Sequence, residues 1–219
     1  MNHRWLLVTL LVLLARLGHA ATLPDTAWGR IEALATGRLV PGPAGWLNFC
    51  LGEPDRCRPA SRAVELHPTS QLLALLQRVQ VDINRRIVPE PEPAGRDLWR
   101  IATTGGDCED YALAKQARLL AAGLPVGAVR LATAHLPDGE LHAVVTVATD
   151  RGTLVLDNLQ PDVMPLHMLD YAWLRVQGVQ GDLRWDELRA LAAEAAPGAS
   201  HAVPAATADR ARQGSRQSE

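Results

Sequence analysis

The sequence predicts an α+β domain, and three observations predict it. Apolar residues recur at helical spacing through 69–87. They do so again after Asp107, in a segment with helix punctuation at both ends. Beyond Pro125 the pattern changes to short runs of Val, Ala, Thr and Leu with a Gly-containing turn between two of them, the mark of paired strands. Helices first and an antiparallel sheet afterwards is the α+β order.

Element by element, 24–39 holds a short amphipathic piece (Trp28, Ile31, Leu34) that ends at Pro41-Gly42-Pro43. Residues 45–50 then lead through Pro54 to Cys57, which reads as a turn closed by a disulfide. Pro68 precedes the first long helix, whose buried stripe is Leu72, Leu75, Leu76, Val79 and Ile83. Pro89, Pro91 and Pro93 end it and open an irregular loop to Gly106; a loop of that length in a small domain is commonly functional. Asp107 is a good N-cap for the next helix, with Asp110 three residues on as a variant capping box. Ala112, Leu113, Ala117, Leu119 and Leu120 supply its inner face, and Gly123 with Pro125 stops it. Strands are expected over 126–133, 141–149 and 153–156, with Asp150-Arg151-Gly152 turning between the last two. An extended piece over 173–179 and a closing helix over 185–195 complete the domain.

The first twenty residues read as an export signal: Arg4 gives the positive start, 5–14 the apolar stretch, and Gly18-His19-Ala20 the small residues of a cleavage site. An uncleaved anchor is the alternative. No lipobox-like cysteine follows it. The expected organisation is a signal peptide over 1–20, an N-terminal segment over 21–44, a domain over 45–195 and a disordered tail over 196–219, placing the protein in the periplasm or outside the cell. Lys and Arg number 22 against 24 Asp and Glu, interspersed, so nothing resembles a basic nucleic-acid surface. Six tryptophans are many for the length, and Trp46, Trp99 and Trp173 are expected as core or cleft anchors.

Three cysteines focus the chemistry. Cys50 and Cys57 lie close enough to pair, a small loop whose bridge adds about 2 kcal/mol; two unpaired buried thiols are the bland alternative. Cys108 is left over, and a free thiol in an exported chain usually has a chemical reason to be there. It falls in the first turn of a helix, where the macrodipole favours thiolate and backbone N–H groups can hold an oxyanion. His142 and Asp157 follow on neighbouring strands. An even hairpin loop centred on Asp150-Arg151 sets Asp157 opposite Val144, on the face that also carries His142; an odd loop would part them. Alone, each residue has a plain explanation: a core histidine, a turn aspartate, a small buried thiol. Together they follow the order of a Cys-His-Asp thiol triad, which points to an enzyme. His67, His135 and His167 sit in connections or at a strand end. No Gly-x-Ser-x-Gly, His-Glu-x-x-His, Cys-x-x-Cys or phosphate-cradling loop is present.

Asp107, Glu109 and Asp110 crowd the sulfur, and each carboxylate disfavours thiolate. Asp110 is accounted for as a capping partner. A hard cation on Asp107 and Glu109 would neutralise the pair, and calcium suits oxygen ligands; simple helix capping in water is the alternative.

Residues 106–115 (GDCEDYALAK), then Gly123-Leu124-Pro125, Arg130, His142-Ala143-Val144 and Leu156-Asp157-Asn158, resemble the bacterial transglutaminase-like cysteine peptidases, which include the LapG-type periplasmic proteases. Gly45-Trp46-Leu47-Asn48-Phe49-Cys50, Cys57 and Asp97-Leu98-Trp99 fit as well. The resemblance implies a papain/transglutaminase-like fold with Cys108 as nucleophile, His142 as base then acid, and Asp157 orienting it. It implies calcium at Asp107 and Glu109, a protein substrate in the envelope such as a surface adhesin, and an inner-membrane cyclic-di-GMP receptor as partner. The Cys50/Cys57 pair, the proline-rich loop before Asp97 and the basic tail depart from the LapG-type pattern. Acyl transfer to an amine, a cell-wall amidase and a non-catalytic binding module are the competing readings.

Overall fold

The computed structural model describes residues 28–57, 60, 62–93, 95–179 and 183–189. A 3-10 turn at Ile31–Leu34 leads into strand β1 (Ala35–Pro41), helix α1 (Ala44–Gly52) and a second 3-10 turn at Pro54–Cys57. Helix α2 (Ser70–Arg86) follows, then the short strands β2 (Val88–Pro89) and β3 (Gly105–Gly106), and helix α3 (Cys108–Ala121). The remainder is β4 (Val129–His135), β5 (Leu141–Thr149), β6 (Gly152–Leu156), β7 (Met164–Pro165), β8 (Ala172–Gln177) and β9 (Arg184–Leu188). A seven-stranded sheet has the order β1-β9-β8-β4-β5-β6-β7, every neighbouring pair antiparallel. Strands β2 and β3 form a separate parallel pair beside the start of α3.

This is the α+β architecture expected, with Cys108 opening a helix laid against an antiparallel sheet. Thr69 caps α2 by accepting a hydrogen bond from the Leu72 N–H at 3.2 Å. The β5–β6 register sets Val145 against Leu156 and Thr149 against Gly152, so the loop is the even Asp150-Arg151 turn. Cys50 and Cys57 are bridged, the expected disulfide.

Three expectations are corrected. Residues 45–50 are helix rather than turn: Trp46 and Cys50, one helical turn apart, are both buried. The closing helix expected from residue 185 begins instead as strand β9, because Trp185 and Leu188 are buried and the backbone between them pairs with both β1 and β8. Long-range pairing overrides local helix propensity here; residues 190–195 lie outside the described residues. Asp110 does not complete a capping box, and Asp107, although at the N-cap position, makes no side-chain cap bond. Strand β1 supplies an edge of the sheet from within the stretch expected to precede the domain. The expected signal peptide and tail lie outside the described residues.

The sheet separates two cores. Alternate residues of β5 and β6 (Ala143, Val145, Val147, Leu154 and Leu156) face α3. Val144 and Val155 face the other way, onto Ile31, Tyr171, Trp173 and Val176. Trp46, Trp99 and Trp173 are all buried, as expected of anchors. Trp46 and Trp99 each meet Trp185 edge-on, at 5.3 and 6.4 Å between ring centroids. Asp97 locks the long loop to this cluster: one carboxylate oxygen accepts the Gly45 N–H and the other the Trp99 indole N–H, both at 2.7 Å. A Cβ on Gly45 would fall 2.3 Å from Trp99, so only glycine permits that approach.

Helix α3 is buried on nearly every side, and with it Lys115, whose Nζ is fully buried and has no hydrogen-bond partner among the described residues. The Tyr111 ring centroid, 5.9 Å away, is a weak substitute. Burial lowers the Lys115 pKa to about 7, with Asp157 opposing. From about 7 upwards the unfolded chain keeps a proton that the folded protein has shed, so stability rises with pH, by up to about 1.4 kcal/mol per unit. Denaturation midpoints between about pH 7 and 9 should show this slope. Lys115→Met should remove the slope and be more stable than wild type at neutral pH.

Candidate active site

Cys108 is the first residue of α3, half-buried and unpaired. Its placement depends on the backbone before it. A Cβ on Gly106 would sit 2.4 Å from the Asp110 carboxylate, so glycine lets the chain pass over the first turn. Asp110, fully buried, turns away from the cap and accepts the Arg100 N–H at 2.8 Å, with the Arg100 guanidinium at 3.2 Å. Burial raises its carboxyl to about 6 against the opposing pull of Arg100. The acid read as a cap thus staples the long loop to the helix that carries the thiol.

His142 and Asp157 meet across the β5–β6 pair: His142 Nε2 lies 2.8 Å from Asp157 Oδ1, with both side chains buried. The register expected from the turn accounts for this, since continuing the β5–β6 ladder by one step sets residue 157 against Val144. Strand parity puts the pair on the side of Val144 and Val155, away from the body of α3, and both residues stand at strand ends. From there His142 reaches the cleft that Cys108 also lines. Burial alone would raise the Asp157 carboxyl, but hydrogen bonds from His142, Tyr171 and the Leu159 N–H outweigh it and hold the carboxyl below its usual range. A carboxylate ringed by donors fixes the histidine tautomer: Nε2 carries the proton, leaving Nδ1 free to accept one.

Several of these partners escape a reading of the sequence. The Tyr171 O–H donates to Asp157 Oδ2 at 2.6 Å, and its ring meets the His142 ring edge-on at 5.9 Å. Gln80 and Asn84, one turn apart on α2, donate to the Asp157 carbonyl at 2.6 and 3.2 Å and also hold the Gln160 carbonyl. The polar break they make in an otherwise apolar helix stripe is the signal that could have found them. Tyr171→Phe removes one of the donors to the carboxylate and should lower kcat/KM by about 10- to 100-fold, since a hydrogen bond to a charged group contributes about 1.5–3 kcal/mol. Steady-state kinetics of the variant against wild type check it.

The surroundings of the sulfur are acidic. The Cys108 thiol donates to Glu109 Oε2 at 3.1 Å. Burial pushes the thiol well above its ordinary value; the Glu109 charge and that hydrogen bond add to it, and Asp107 adds less. Glu109 is itself raised to about 7, chiefly by burial. The two acids expected to hold a cation come together with a third, Glu92, from the proline-rich loop: each of Glu92, Asp107 and Glu109 offers an oxygen within 4.8 Å of the others. Among the described residues, Glu92 Oε1 and Asp107 Oδ1 are buried with no hydrogen-bond partner. His67 and His135 lie apart, bound to Asp150 at 2.7 Å and to the Gly139 carbonyl at 3.0 Å.

Among curated proteins the chain has no match. Solved structures of LapG from Legionella pneumophila, a calcium-bound and an EGTA-treated one among them, are similar to it at 26% sequence identity. The likeness covers 52% of this chain and 66–67% of theirs, with a TM-score of 0.46. The bacterial transglutaminase-like cysteine proteinase family matches residues 36–192, a span that runs from β1 past β9 and takes in every residue of the site. The chain belongs to that family and is a transglutaminase-like cysteine peptidase.

Proposed function

We propose that the protein is an exported peptidase that hydrolyses a peptide bond in an envelope or surface protein through Cys108, His142 and Asp157, with calcium beside the nucleophile. The observation that carries this reading is the buried His142–Asp157 hydrogen bond, which leaves Nδ1 as a base in the cleft lined by a free helix-terminal thiol. Nδ1 takes the Cys108 proton, and the sulfur adds to the scissile carbonyl carbon. N–H groups of the first turn of α3, which have no acceptor within the helix, face the charge that develops on oxygen. As the C–N bond breaks, the imidazolium returns the proton to the departing nitrogen, leaving a thioester on Cys108. A water then loses a proton to His142 and attacks the thioester, and the proton returns to the sulfur as the acid leaves. Asp157 keeps the ring oriented and stabilises its charged form throughout.

Calcium fits the residues present. Two buried carboxylate oxygens with no hydrogen-bond partner among the described residues, and a third acid raised by burial, are oxygen donors suited to a hard cation. Glu92, Asp107 and Glu109 would hold it, and when bound it supplies the positive charge that lets the sulfur ionise among acids. Export rests on the signal-like residues 1–20. The sequence resemblance brings a surface adhesin as substrate and an inner-membrane cyclic-di-GMP receptor as regulator into the same proposal. Incubating the mature protein with envelope proteins, with and without chelator, and mapping new N-termini tests it. Discrete new termini that vanish with Cys108→Ala are expected; termini that persist in that variant would overturn the reading.

A further inference from the structure

The cleft is divided by chemistry. The lining given by the proline-rich loop and the start of α3 carries four carboxylates, Glu90, Glu92, Asp107 and Glu109, set among prolines and Arg96. The lining next to His142 and Asp157 in sequence carries the leucines Leu136, Leu141 and Leu159, together with Glu140 and Asn158. Leu141 and Leu159 are 56% and 52% exposed; unlike the other exposed apolar side chains, such as Leu51 and Met168, they line the cleft of Cys108, and they stand beside the two members of the buried pair in sequence. Neither is on a loose segment. Leu141 precedes His142 in β5 and pairs with His135, while the Leu159 N–H is held at 2.8 Å by the oxygen of Asp157 that also binds His142.

Their position acquires meaning from the direction of proton transfer. A general acid must lie within hydrogen-bond reach of the atom it protonates, so the nitrogen released when the C–N bond breaks has to be beside His142. The residue carrying that nitrogen therefore projects its side chain on the leucine side of the cleft, and the acyl half lies towards the carboxylates. Resting on the peptidase reading above, we propose that Leu141 and Leu159 form a subsite for a bulky apolar side chain on the residue immediately following the scissile bond. Two exposed leucines held on fixed backbone gain by being covered, and a charged or glycyl residue there would leave them wet.

The test uses the calcium-supplemented wild-type protein and a proteome-derived peptide library, reading the first residue of each released fragment. Leu, Ile, Met or Phe should predominate there. In matched synthetic pairs the apolar peptide should exceed the glycyl one by about tenfold or more in kcat/KM, the usual yield of an apolar pocket. Leu141→Thr with Leu159→Ser should bring that ratio towards one, and each single variant should lower it, so misfolding of the double variant does not hide the result. Cleavage by wild type without preference at this position, or a preference that survives the substitutions, would overturn the subsite while leaving the peptidase reading intact. Absence of any Cys108-dependent cleavage would overturn both.

Discussion

Cys108→Ala should abolish peptide cleavage, by about 10⁵–10⁶-fold in kcat, as loss of a covalent nucleophile does. The fold should survive. Cys108 is half-buried, and its sulfur is hydrogen-bonded to its neighbour Glu109 and to the Ala143 backbone. Alanine also suits a helical first turn better than cysteine does. The variant should therefore melt within a degree or two of wild type, about what a few tenths of a kcal/mol produces in a domain this size. Iodoacetamide should label wild-type Cys108 in the presence of calcium faster than a model thiol. A variant retaining more than a few per cent of wild-type turnover would place the nucleophile elsewhere, as would ordinary labelling kinetics.

Removing calcium should be the second largest loss. Without the ion, Glu109 accepts the Cys108 S–H, and burial with the neighbouring carboxylates holds the thiol protonated. Chelation should then lower activity by about 100-fold or more, corresponding to a rise of about two units in the thiol pKa. Calcium should restore it better than magnesium, which tolerates irregular protein sites poorly. The pH dependence has a definite sign. The Glu109 carboxyl, at about 7 in the folded protein, must lose its proton to bind a cation, so calcium affinity should fall as pH drops below about 7. For the ion-free protein the raised value means that Glu109 costs stability as pH rises from its ordinary value of 4.5 through about 7, and calcium should reverse that loss. Calorimetric titrations at pH 6 and 8 in buffers of different ionisation heat read both affinity and released protons. Glu92→Gln and Glu109→Gln should each weaken binding; full activity in chelator with no binding heat would show that the acids serve only the helix end.

The parts of the site fixed by local chemistry were legible in the sequence. A two-residue turn of Asp150 and Arg151 sets the parity of both flanking strands, so the meeting of His142 and Asp157 followed from counting. Helix punctuation placed Cys108 at a helix start. What escaped depends on the chain returning from a distance. Tyr171 reaches Asp157 from the residue just before β8, and Glu92 reaches Asp107 from a proline-rich loop with no period to read. Asp110 looked like a cap because nothing local announces Arg100 as its partner. Residues 185–188 favour helix by composition, and only the positions opposite them in β1 and β8 make them strand.

That last pairing bears on how the chain reaches its folded state. Ala35 lies opposite Leu188, so among the described strands β1 pairs with β9, the last of them. The contact spans most of the sequence, and the entropy of closing so large a loop makes it a late and slow event. During vectorial synthesis, the first of the described strands to emerge waits for the last of them. A molecule cut before Arg184 would lose the partner of β1 and bare one edge of β8 together, leaving two open hydrogen-bonding rims where the intact chain has a zipped seam.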